Sequence, residues 1–246
     1  MSWQETITAL QKGTMRAATP NDDGSWTVNA DVKEAILDVF RNGNNVEMAG
    51  GFVDKHNIPA RAFTVEDGVR MVPGGSSVRS GAYVASGVVI MPPAYINIGA
   101  FVDSGTMVDS NALVGSCAQI GKNVHLSAGV QIGGVLEPIG AMPVIIEDDA
   151  FIGAGSIVVE GMIIRKRAVL APGVTLSSSI PVYDCVNEEL RPRGADIPEG
   201  AVVVPGTRPI ANDWAKDQGL SVQCPVIIKY RDENSDRSLA LEDALR

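Results

Sequence analysis

Histidine and cysteine are scarce, with two and three copies in 246 residues. Cys117, Cys185 and Cys224 are odd in number and form no CxxC pair, which excludes a disulfide framework and suits a reducing cytoplasm. His56 and His125 are too few for a three-histidine zinc centre, so no metal is expected. Aromatic residues are only 5%, which excludes a core built on large rings. Positive charge is also short: 20 Lys and Arg face 29 Asp and Glu, a net charge of −9. That excludes a general nucleic-acid binder, which needs a basic face. No apolar run reaches the ~18 residues of a membrane span. The start, Met1-Ser2-Trp3-Gln4-Glu5, has neither the basic nor the apolar stretch of a signal peptide. A cytoplasmic protein is expected, and no GxxxxGK[ST] phosphate loop is present.

What remains is an aliphatic, glycine-rich chain, with 45% hydrophobic residues and 26 glycines. Its order is periodic. Every sixth residue from Val72 through Val78, Val84, Ile90, Ile96, Val102, Val108, Val114, Ile120 and Leu126 to Ile132 is aliphatic. The frame breaks and resumes at Ile146, Ile152, Val158, Ile164, Leu170, Leu176 and Val182, giving eighteen positions. A period of six is neither the 2.0 of a strand nor the 3.6 of a helix. It fits a three-sided solenoid with one inward aliphatic residue per side. Eighteen positions then make six coils, a prism roughly 29 Å tall at the ~4.8 Å spacing of paired strands. Gly99, Gly115, Gly121 and Gly153 fall where corners crowd.

Three regions follow. Residues 1–69 lack the period and are expected to form a small mixed α/β domain. In it Asp31 caps a helix bearing Val32, Ile36, Val39 and Phe40 on one face, stopped by Asn42-Gly43. Residues 70–184 form the solenoid, with an inserted loop over 133–144 that walls a site. Residues 185–246 cap the last coil through short strands at 202–204 and 226–228. Leu239, Leu241 and Leu245 suggest a terminal helix.

The segments Tyr95-Ile96-Asn97-Ile98-Gly99-Ala100, Gly105-Thr106-Met107-Val108-Asp109, Val114 to Leu126 and Gly133-Gly134-Val135-Leu136-Glu137-Pro138 resemble the tetrahydrodipicolinate N-succinyltransferases of bacterial lysine and diaminopimelate synthesis. The likeness runs from about residue 9 to about residue 230, with an N-terminal region shorter than is usual in that family. It implies a left-handed parallel β-helix, a homotrimer with sites between subunits, and transfer of an acyl group from acyl-CoA to an amine. By this likeness Arg70 grips a substrate carboxylate, Asp109 is the catalytic acid residue near the reacting nitrogen, and Ser116 and Glu137 line the acceptor site. The coenzyme would lie along Gly155, Ala171 and Gly173, with Arg165, Lys166 and Lys229 drawing its phosphates.

Two departures from that family matter. Gly155 stands in place of an arginine, and Ile157 in place of a glutamate that is the second catalytic acid. An apolar side chain neither takes a proton nor pairs with a cation, so Asp109 works alone, or Glu160 or a water substitutes, or the chemistry is altered. Losing both charges favours a neutral acyl group, acetyl over succinyl, as in a specialised branch such as tabtoxin biosynthesis. His125 points outward beside Leu126, either as the general base of an amino-sugar transferase or as a packing residue. Arg165-Lys166-Arg167 is either a solvated corner or a phosphate attractor. A solenoid that binds a ligand without catalysis is the remaining alternative.

Overall fold

A computed structural model describes residues 1–231, so the expected helix at Leu239–Leu245 lies outside the described residues. The middle of the chain is a triangular left-handed β-helix of two-residue parallel strands joined by turns. Its first face stacks Arg70–Met71, Val89–Ile90, Met107–Val108, His125–Leu126, Phe151–Ile152 and Val169–Leu170. The second stacks Ser77–Val78, Tyr95–Ile96, Leu113–Val114, Gln131–Ile132, Ile157–Val158 and Thr175–Leu176. The third stacks Tyr83–Val84, Phe101–Val102, Gln119–Ile120, Ile145–Ile146 and Ile163–Ile164. One residue of each two-residue strand points inward, and these Val, Ile and Leu side chains, reinforced by corner alanines, make up the core.

Seventeen of the eighteen period-six positions are buried in or beside this column. Val72 is the exception. Arg70–Met71 pairs with Val89–Ile90 one residue out of the frame, so Met71 packs on the core. The extra residue is absorbed by Pro73-Gly74-Gly75, whose glycines take φ of 143° and 94°. Corner glycines are required where coils touch. A Cβ on Gly115 would stand 2.2 Å from the Gly134 nitrogen, and one on Gly153 would stand 2.6 Å from the Leu170 oxygen.

Both flanking regions differ from expectation. In the N-terminal part, the second helix runs Ala30–Arg41, so Asp31 sits inside its first turn and Asn29 is the cap. The Asn29 amide is occupied by the Arg16 carbonyl. The first helix, Trp3–Gln11, begins in a reciprocal Ser2–Glu5 capping box. Together with a hairpin of Ala18–Pro20 and Trp26–Val28, these elements cover the third face. There the Arg16 guanidinium lies 3.6 Å from the Phe101 ring centre and donates to Gln119. At the other end the prism stops at Leu176. Val182–Asp184 leaves it and pairs in the cap, because Ile197 already occupies the rung above Ile164. The cap strands are longer than expected, Ala201–Pro209 and Ser221–Tyr230, with the former laid on Val169–Leu170.

Asp184 ties this cap together. Its buried carboxylate accepts from Tyr230 Oη at 2.7 Å, Asn187 Nδ2 at 2.8 Å and the Val186 and Asn187 amides. Burial pulls its pKa up, but these four donors outweigh it and hold the carboxyl below its ordinary value. The stabilisation is therefore present above the unfolded value near ~3.9, and is lost as pH falls through the lower folded value. Asp184→Asn should cost about 1–3 kcal/mol at neutral pH. Melting temperatures of the two proteins should converge as the buffer is taken below pH ~4. A gap that stays constant with pH would contradict this.

Candidate active site

The three edges of the prism separate the candidate residues. The first edge, between the first and second faces, follows each inward residue of the first face. Asp109, Ser127, Gly153–Gly155 and Ala171–Gly173 therefore line up along it on successive rungs. Asp109 and Gly173 are three rungs apart, roughly 14 Å at the usual strand spacing. Asp109 is half-buried. Its Oδ1 accepts the Ser110 amide at 2.6 Å, an Asx turn that fixes the carboxylate, while Oδ2 has no protein partner among the described residues. Arg70 is exposed on the first face two rungs below, without a carboxylate partner among the described residues.

Gly155 takes φ of 68°, and a Cβ added there would meet nothing within 4 Å. Ile157, on the second face just past this edge, is 37% exposed, an apolar side chain open to solvent. Beyond Gly173 the cap hairpin continues the wall, and Gln223 donates to the Gly173 carbonyl at 3.3 Å. The edge is thus a line of small residues and backbone groups with one carboxylate near its foot.

The second edge carries Ser116, the insertion and Glu160. The insertion leaves after Ile132 and returns at Ile145. The Val135 amide donates to the Ser116 carbonyl at 3.1 Å. Glu137 stands exposed at the tip and lines a cavity of about 430 Å³ with Glu160, Met142 and Gly134. The Ser177 and Ser178 hydroxyls donate to Glu160 at 2.6 and 2.8 Å and hold its carboxyl below the usual carboxylate range. Glu160 is therefore a weak base, one face away from Asp109 in the same chain.

The third edge corrects the picture of the basic run. Arg165 is not a free cation: Nη1 donates to Glu147 at 2.8 Å, Nε to Asp196 at 2.8 Å, and Nη1 also to the Gly24 carbonyl. Lys166 is exposed, but it lies on this edge and not with Ala171 and Gly173. Lys229 is exposed on the last strand opposite Val202. Among the described residues Arg165 and Lys166 lie on a different edge from Ala171 and Gly173. His125 is half-buried on the first face, with its ring stacked 4.9 Å from Phe151 at 25°.

One buried cation escaped the sequence reading. Lys33 is fully buried in the second helix, and its Nζ donates to the Ala141 carbonyl at 2.5 Å. Desolvation lowers its pKa, against a smaller opposing effect of the nearby Cys117. Cys117 is itself a free thiol, pushed by burial up to about 12. The signal was available: Lys33 lies three residues before Ile36 and seven before Phe40, on the apolar stripe of its helix.

Comparison with known proteins places this architecture. Residues 143–178 match the family model of the hexapeptide repeat of succinyl-transferase, and residues 3–41 match that of the tetrahydrodipicolinate N-succinyltransferase N-terminal region. A solved structure from Campylobacter jejuni, described as a candidate 2,3,4,5-tetrahydropyridine-2-carboxylate N-succinyltransferase, shares the fold. The match has a TM-score of 0.59 at 16% identity and covers 92% of this chain and 62% of that one. The molecule is a hexapeptide-repeat acyltransferase. A 2,3,4,5-tetrahydropyridine-2,6-dicarboxylate N-succinyltransferase of Aromatoleum aromaticum is 47% identical over 98% of this chain and 87% of its own length. One from Azoarcus sp. is 48% identical over 98% and 88%. The chain belongs to the 2,3,4,5-tetrahydropyridine-2,6-dicarboxylate N-succinyltransferase family.

Proposed function

We propose that the protein transfers an acyl group from acyl-CoA to the amine of a small amino dicarboxylate, tetrahydrodipicolinate or a 2-aminopimelate-like acceptor, in lysine or diaminopimelate-type synthesis. The observation that carries this is the first edge. Asp109 stands at the foot of an edge whose upper rungs, Gly155, Ala171 and Gly173, offer backbone groups and little bulk to an extended pantetheine arm. The amine nitrogen attacks the thioester carbonyl carbon, and Asp109 Oδ2 accepts the proton it sheds. The tetrahedral intermediate then collapses, the C–S bond breaks, and the thiol leaves with a proton as the amide forms. Arg70 is in reach of the same face to pair with an acceptor carboxylate.

Ser116 and Glu137 lie a full face away from Asp109, so they join it only when the second edge of a neighbouring copy meets this first edge. A homotrimer with three shared sites satisfies that requirement. For the donor, Gly155 and Ile157 leave no cation and no acid for a terminal carboxylate on the acyl group. We therefore favour acetyl-CoA over the succinyl-CoA that the relatives' names imply. Assignment to a specialised branch such as tabtoxin biosynthesis rests on those two positions alone. Thiol release from acetyl-CoA and succinyl-CoA, with and without 2-aminopimelate, tests the whole reading. A non-catalytic binder would release none.

A further inference from the structure

Beyond Val135, whose amide donates to the Ser116 carbonyl at 3.1 Å, the insertion is also held by the N-terminal domain. Leu136 packs into the N-terminal cluster with Ile36, Val39 and Ile58. The Lys33 ammonium donates to the Ala141 carbonyl, 108 residues away. Between these two anchors lies the tip Glu137–Gly140, exposed except for the half-buried Ile139 and stiffened by a bond from the Ala141 amide to the Pro138 carbonyl at 2.9 Å. A fully buried lysine is costly unless its charge is used. Methionine in its place would fill the same slot without that cost.

We propose that Lys33 is a positioning residue. By clamping the Ala141 carbonyl it fixes the tip that carries Glu137 at the second edge, and so sets the acceptor half of the site without touching substrate. This rests on the functional reading above, which places Glu137 beside the acceptor. Because the clamp joins the helix to the insertion, the two should open together.

Two measurements test it. In the wild type, hydrogen exchange should show the Ala141 amide sharing the denaturant dependence of the Ala30–Arg41 helix amides. An Ala141 amide that exchanges independently of the helix overturns the clamp whether or not any variant folds. In Lys33→Met, the KM for the amino dicarboxylate should rise roughly tenfold, the size of one charge-assisted hydrogen bond. The KM for acyl-CoA and kcat should stay within about threefold. An equal fall in kcat for all substrates, or no change in acceptor KM, overturns the assignment. If the wild type moves no acyl group at all, the functional reading fails while the exchange result still decides the clamp.

Discussion

Asp109→Asn should lower kcat by roughly 10²- to 10⁴-fold, the usual worth of a positioned general base, while leaving the melting temperature unchanged. The amide is isosteric and its oxygen can still accept the Ser110 amide, so the Asx turn that orients it survives. What is lost is the ability of the second oxygen to take a proton. His125→Asn is the matched control. It removes an imidazole that stacks on Phe151 one rung above, and turnover should change less than about fivefold. Reversal of this order, with the imidazole essential and the carboxylate dispensable, would make His125 the base and Asp109 a corner residue. The comparison is informative because the two residues follow the same face of the prism, one at its centre and one at its edge.

The donor should be equally legible in kinetics. The wild type is expected to show a higher kcat/KM with acetyl-CoA than with succinyl-CoA. Restoring both charges as Gly155→Arg with Ile157→Glu should shift that ratio towards succinyl-CoA by at least ~10-fold, about 1.4 kcal/mol. The backbone permits the change. A side chain at 155 meets nothing within 4 Å, and left-handed corners already carry Glu160 at φ 56° and Arg167 at φ 60°. The conformational cost of leaving glycine is about 1 kcal/mol, and it affects both donors alike. Equal or better turnover of succinyl-CoA by the wild type would remove the acetyl preference and leave the acyltransferase.

The sequence discloses the inside of this molecule better than its outside, for a physical reason. An inward side chain in a two-residue strand must be aliphatic on every rung, so the period of six marks the core column directly. It failed at Val72 because Pro73-Gly74-Gly75 holds one residue more than a corner needs, and at the top coil because Val182 is buried by cap strands instead of a further rung. Outward residues obey no such rule. Which edge a residue occupies can be counted from the period, and that count puts Asp109 with Gly155 and Gly173. It equally separates Arg165 and Lys166 from them, a consequence hidden until Glu147 and Asp196 were seen to neutralise Arg165. Asp31 was misjudged by two residues, because the helix begins at Ala30 and Asn29 stands at its cap. Lys33 was passed over because a lysine on an amphipathic helix is ordinarily solvated.

The most direct test of the central claim is release of free thiol from acyl-CoA by the purified protein. Acceleration only when an amino dicarboxylate is supplied, with the N-acyl product formed in equal amount, is the predicted result. An intact thioester after prolonged incubation with acetyl-CoA, succinyl-CoA and every such amine would contradict it.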